Sequence, residues 1–109
     1  MGINYYLAKN YCNKCNRYES IHIGKSSYGW TFSFRAYKNI RSFDDWKKEF
    51  IGNRIFDEYG KEITINDFVK MVESKKIFNG KEADNHAKLY PQDSFLDKDN
   101  NSFSDYEFC

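Results

Sequence analysis

The alternation of apolar and polar positions is sharpest from Trp30 onward. Trp30, Phe32, Phe34 and Ala36 fall on one face of an extended segment, and Thr31, Ser33, Arg35 and Tyr37 fall on the other. Ser20 to Gly24 forms a shorter run, with Ile21 and Ile23 opposite His22, and Lys25-Ser26-Ser27-Tyr28-Gly29 supplies turn chemistry between the two. This pattern predicts a hairpin of 20–24 with 29–38. Upstream, Ile3, Tyr5 and Leu7 alternate with Asn4 and Tyr6, which predicts a first strand, and the polar stretch 9–19 reads as a loop.

The period then changes to that of a helix. Ser42 is a good N-cap with Asp45 at the third helical position, Phe43, Trp46, Phe50 and Ile51 fall near one stripe, and Gly52-Asn53 ends the segment. Ile55 and Phe56 begin another strand, which turns at Glu58-Tyr59-Gly60-Lys61 into Ile63. Thr64 and Asp67 repeat the capping pattern. Ile65, Phe68, Val69 and Val72 follow at the spacing of one helical face, and the helix is expected to run to about Lys76. The order predicts an α+β fold, a mainly antiparallel sheet of hairpins with two helices. The core domain is expected over residues 1–78.

Residues 79–109 differ in character. Asn, Asp, Lys and Ser dominate, punctuated by Tyr90, Phe95, Phe103, Tyr106 and Phe108, and Pro91 breaks any helix there. An acidic tail that packs back on the core through these rings is the expectation. Aromatics make up 19% of the 109 residues, enough bulk to fill a small core from few positions. The net charge of +1 gives no global drive toward nucleic acid or membrane, yet it is split, with residues 1–54 basic and the remainder acidic. No stretch approaches the roughly 20 apolar residues of a membrane helix, and the first residues carry no secretory pattern. An odd count of three cysteines without an export signal favours thiols over a disulfide framework, with Cys109 a free tail thiol.

Cys12-Asn13-Lys14-Cys15 is the foremost chemical motif. Two thiols two residues apart on a tight turn can hold one zinc ion from the same side, and Asn16 tolerates the left-handed conformation such a turn needs. His22 and His86 are the only histidines, so a closed four-ligand site would comprise Cys12, Cys15, His22 and His86. The alternative is a pair of ordinary loop thiols. Redox chemistry of the thioredoxin kind lacks its strand-to-helix setting.

Gly24-Lys25-Ser26 resembles the end of a phosphate-binding loop, but Glu19 stands where the earlier glycine is required, so nucleotide hydrolysis is excluded. A looser anion contact by Lys25, Ser26 and Ser27 is left open, and a small-ligand, phosphate-binding or phosphoryl-handling site at His22, Lys25 and Ser26 is the alternative function. Asp97-x-Asp99-x-Asn101 opens like a calcium loop, but Ser102 and Phe108 replace the glycine and glutamate that geometry needs. Trp30 to Arg41 interleaves rings with Arg35, Lys38 and Arg41, which leaves single-stranded nucleic acid as a second alternative through the basic N-terminal half. No catalytic constellation can be asserted.

Several blocks taken together resemble a family of small uncharacterised proteins encoded by bacteriophages and prophages. They are Gly2-x-Asn4-Tyr5-Tyr6, Cys12-x-x-Cys15-x-Arg17, His22-Ile23-Gly24-Lys25-Ser26-Ser27-x-Gly29-Trp30-x-Phe32, Asp44-Asp45-Trp46, Asp57-Glu58-Tyr59-Gly60 and Ser102-Phe103-Ser104-Asp105-Tyr106-Glu107-Phe108. Members of that family often end in Glu-Phe-Ser where this chain has Glu107-Phe108-Cys109, and some keep the histidine block without the cysteines. The resemblance implies phage origin, action in the cytoplasm of an infected bacterium, and a role for His22 that needs no metal. The leading expectation is a non-catalytic accessory protein that binds a host or defence-system protein, an inhibitor or anti-defence factor. Its binding residues are expected at His22, Lys25, Ser26, Ser27, Trp30 and Arg35.

Overall fold

The computed structural model describes residues 2–12, 14–15, 17–78, 80–89, 94–99 and 101–104, with the side chains at 10–12, 78 and 86 outside that description. Two long strands, β1 (Gly2–Cys12) and β2 (Arg17–Ser27), form an antiparallel hairpin from Gly2↔Ser27 to Cys12↔Arg17. Much of the stretch expected as a loop over 9–19 is therefore strand. Its residues are polar because this end of the hairpin runs beyond the sheet: β1 meets its other neighbour, β4 (Arg54–Asp57), only from Tyr5 to Ala8. Arg17 to Ser20 are exposed, so no buried face imposes alternation on that part of β2. The left-handed conformation expected at Asn16 lies outside the described residues.

The expected partnership of 20–24 with 29–38 is shorter than predicted. β3 spans only Ser33–Arg35, and it meets β2 at Gly24↔Phe34 and Lys25↔Ser33. Lys25, Ser26 and Ser27 are strand, not turn, and the chain reverses at Tyr28-Gly29, where Gly29 takes φ 82. Trp30 leaves the strand to bridge Asp84, while Phe32, Phe34 and Ala36 are buried as their shared face predicts.

Both predicted helices form at their predicted caps. α1 (Phe43–Phe50) begins at Ser42, whose hydroxyl accepts from the Asp45 N–H, and Asp45 in turn accepts from the Arg41 N–H. It ends before Gly52, which adopts φ 78, and Asn53 donates from its backbone and side chain to the Phe50 and Glu49 carbonyls. Short β5 (Glu62–Ile63) pairs with β4, and α2 (Ile65–Ser74) starts at Thr64, whose hydroxyl accepts from Asp67 N–H. Phe68 and Val72 are fully buried, whereas Ile65 at the head of the stripe stays 36% exposed.

Beyond residue 78, the segment expected as a tail enters the sheet. After the small ribbon β6 (Ile77–Phe78) and β7 (Lys81–Glu82) and the single turn α3 (His86–Leu89), β8 (Ser94–Leu96) and β9 (Ser102–Ser104) form a hairpin. β9 lies parallel to β3 from Ser33↔Ser102 to Arg35↔Ser104. The main sheet thus runs β5-β4-β1-β2-β3-β9-β8, antiparallel except at β3–β9, and the fold is α+β.

One sheet face holds the core. Phe34, Phe103 and Phe95 form a ladder across β3, β9 and β8, with centroids 5.0 and 5.4 Å apart and planes within 17°. Trp46, Phe50 and Phe68 from α1 and α2 close over it, and Tyr5 and Phe32 meet Phe68 edge-on. Each fully buried ring contributes about 1.5–3 kcal/mol by leaving water. The opposite face is covered at its β8–β9 end by α3, where Ala87 N–H donates to the Ser102 hydroxyl.

Candidate functional site

Of the residues expected to bind a ligand or partner, His22 has the most constrained setting. It points to the outer sheet face beside its cross-strand partner Tyr6, at 5.1 Å between rings, and is only 7% exposed. Its Nε2 lies 3.0 Å from Asn4 Oδ1, and its carbonyl accepts from the Tyr37 hydroxyl. An amide oxygen only accepts, so this contact places the proton on Nε2. Asn4 is itself anchored, because its N–H donates to Glu58 Oε1 at 2.8 Å and its Nδ2 faces the same oxygen. The result is a positioned histidine inside a hydrogen-bonded chain that ties β2 to the turn after β4.

The other members of that set are divided between the two faces. Lys25, Ser26 and Ser27 are consecutive strand residues facing Asn4, Ile3 and Gly2, so Ser26 points one way while Lys25 and Ser27 share the other face, their side chains close together above Gly2. An anion cradle needs its donors aimed at one place, and Ser26 does not join the other two. The Ser27 carbonyl accepts from Lys75 Nζ at 2.7 Å, and burial lowers the Lys75 pKa. Arg35 lies 5.1 Å over the Tyr37 ring and donates to the Ala36 carbonyl, and Trp30 is bridged to Asp84.

The glycine of the histidine block has a packing role. A Cβ at Gly24 would stand 2.2 Å from the Ser33 carbonyl oxygen and 2.5 Å from a Phe32 ring carbon. The β1–β2 register also shifts beside it, with Tyr5 facing Gly24, Tyr6 facing His22, and Ile23 as the extra residue. That bulge buries Ile23 completely while His22 keeps to the other face.

Of the four proposed zinc ligands, the described side chains are Cys15 and His22. Cys15 is an exposed free thiol near the hairpin tip, and the side chains of Cys12 and His86 lie outside the described residues. His22 sits five residues along β2 from Arg17, a path of about 17 Å at strand rise. Zinc ligands stand about 2 Å from the metal, so His22 and the hairpin end that carries Cys15 are set well apart along the strand. Among the described residues, no three His, Cys, Asp or Glu side chains gather in a way that could hold a metal.

The calcium-like motif proves to be a structural clamp. Asp97 accepts through Oδ1 from the N–H groups of Asp99 and Asn101, and through Oδ2 from Asn101 Nδ2 and the Phe43 N–H at 2.9 Å. A polar cleft of about 300 Å³ lies at the other edge, lined by Tyr5, Asp57, Lys61, Glu62, Ile63, Thr64 and Asp67. Burial and the neighbouring Asp57 carboxylate raise the Tyr5 phenol pKa. Local structure already engages most of its polar groups: Asp57 Oδ1 accepts from Tyr59 and Lys61 N–H, Glu62 pairs with Arg54, and Thr64 caps α2.

Two residues on the outer face were not singled out from the sequence. Tyr18 of β2 and Phe56 of β4 have centroids 5.9 Å apart and planes within 16°. Their strands flank β1 and so lie about 9.6 Å apart, which means both rings lean inward across β1. Ala8, the small residue beneath, is 1% exposed, while Tyr18 is 48% exposed. Tyr6 pairs with Phe56 and His22 in register, so rings from three adjacent strands line this face. The even spacing of Tyr18, Ser20 and His22 was the available signal. Comparison with protein-family models, with curated proteins and with solved structures returned no match.

Proposed function

We propose that this chain is a non-catalytic binding module that engages a macromolecule in the bacterial cell where it acts, in keeping with the phage-protein resemblance. The binding surface we assign is the outer face of β4, β1 and β2, not the segment from His22 to Trp30. The observation that supports the reading is the Tyr18–Phe56 stack, a half-exposed tyrosine against a partly buried phenylalanine, held across a small residue by three hydrogen-bonded strands. Exposed rings fixed before binding lose little conformational entropy when a partner arrives. His22 lies in the same face beside Tyr6, with its Nε2 proton engaged by Asn4. No described helix is long and apolar enough to cross a membrane.

The reading is tested by immobilising the protein, passing bacterial lysate over it, and repeating with Tyr18→Ala. Material retained by the wild-type protein and lost by the variant supports the assignment. Retention that is indifferent to Tyr18 removes this face from the argument.

A further inference from the structure

Resting on that reading, we propose that the partner is single-stranded nucleic acid, with bases stacking on Tyr18 and Phe56 and the backbone running toward the hairpin tip. The inference combines ring geometry with the placement of charge. Planes parallel within 16° offer flat aromatic surface, which accepts any base, and Tyr18 leaves half its area in solvent. Cations line the same path. Arg54 lies two residues from Phe56 on the same face, opposite Ala8, and Lys14 and Arg17 are exposed at the distal end of the hairpin, with Arg17 rooted on the strand face opposite to Tyr18.

Two acids stand close by. Glu62 Oε2 is 3.4 Å from Arg54 Nε, and exposed Glu19 follows Tyr18. The hairpin over residues 2–27 still carries Lys14, Arg17 and Lys25 against Glu19 alone once Lys9 is set against its ion-pair partner Glu49. An aromatic pair beside arginine alone would also suit a protein–protein interface, but lysine is depleted there, and Lys14 stands at the end of this face. The whole arrangement matches the combination that single strands select, stacking platforms beside a basic track.

The test is fluorescence anisotropy with a labelled oligothymidylate of about 12 nucleotides, a length within the usual single-strand site size. If Lys14, Arg17 and Arg54 each meet a phosphate, affinity falls about twentyfold between roughly 50 and 200 mM salt. Tyr18→Ala weakens binding about fivefold or more, and Tyr59→Ala, at an exposed ring in the β4–β5 turn, leaves it unchanged. Should Tyr18→Ala unfold the protein, the Lys14→Gln Arg17→Gln variant decides, because both positions are exposed and the salt slope falls by about 1.4.

Binding that ignores these substitutions, or a duplex of equal length held as tightly, overturns the proposal. So does the absence of any oligonucleotide binding. If that absence accompanies lysate capture that still depends on Tyr18, only the nucleic-acid assignment falls. If lysate capture also ignores Tyr18, the binding face falls with it.

Discussion

The Asp97 carboxylate closes the N-terminus of α1 by accepting from the Phe43 N–H at 2.9 Å, across 54 residues of chain. The first N–H groups of a helix have no partner within it, and a carboxylate there gains from both the hydrogen bond and the helix dipole. The same group fixes the turn between β8 and β9 through Asp99 and Asn101. One side chain thereby couples the late hairpin to the first helix. Asp97→Ala should cost about 2–3 kcal/mol, since several partly buried donors lose their acceptor together. Urea denaturation measures the loss. Millimolar calcium should leave the wild-type midpoint unmoved, because the carboxylate is already engaged by protein donors.

Gly24 offers the sharpest test of what the histidine block is for. An added methyl group meets the Ser33 carbonyl and the Phe32 ring at distances that no ordinary Cβ contact shows, and the nearest atom is backbone. Gly24→Ala must therefore push β3 away from β2, at a cost of about 3 kcal/mol, toward the upper end for overpacking a tight core. Inorganic phosphate should give no thermal shift in the wild-type protein, since a ligand held by the folded state alone raises Tm. A stabilised Gly24→Ala variant would refute the packing role.

What could be read in advance follows from how local each signal was. Ser42 with Asp45 and Thr64 with Asp67 are contacts three residues apart, so both helix starts were visible in the sequence. Phe32, Phe34 and Ala36 were legible because one buried face imposes alternation. The distal part of the β1–β2 hairpin was not, because Arg17 to Ser20 are exposed and β1 pairs with β4 only as far as Ala8. β9 was hidden for another reason: its three residues join the sheet through a parallel contact with β3, nearly 70 positions away in the chain, about which local pattern says nothing. At the candidate site, His22 drew attention by its chemistry, while Tyr18 and Phe56 met only through register.

Acid should reach the fold in part through Asp44. Its hydrogen bond and ion pair with Lys98 at 2.5 Å hold the carboxyl below its usual range and raise the Lys98 ammonium. Because the folded value is depressed, the contribution is complete above the unfolded carboxylate value of 3.8 and is lost as pH falls through the folded one. Carbon-13 carboxyl titration should find Asp44 low in the wild-type protein and back in the ordinary range in Lys98→Met. An unchanged Asp44 titration in that variant would contradict the pairing.

The metal proposal narrows to the thiol pair. Cys12 and Cys15 frame the β1–β2 turn, and His22 stands about 17 Å of strand away with its Nε2 against Asn4. Zinc held by the cysteines therefore owes nothing to His22. Elemental analysis should find the zinc content per chain reduced by Cys15→Ser and untouched by His22→Gln. The same His22→Gln variant should lose stability, since its ring packs on Tyr6 and its Nε2 meets Asn4 Oδ1. That pairing of outcomes separates a structural histidine from a ligand: a ligand would lose metal on substitution, whereas this residue should lose only packing and a hydrogen bond. Zinc lost together with His22 would restore the four-ligand site, and wild-type protein purified without zinc would end the metal proposal.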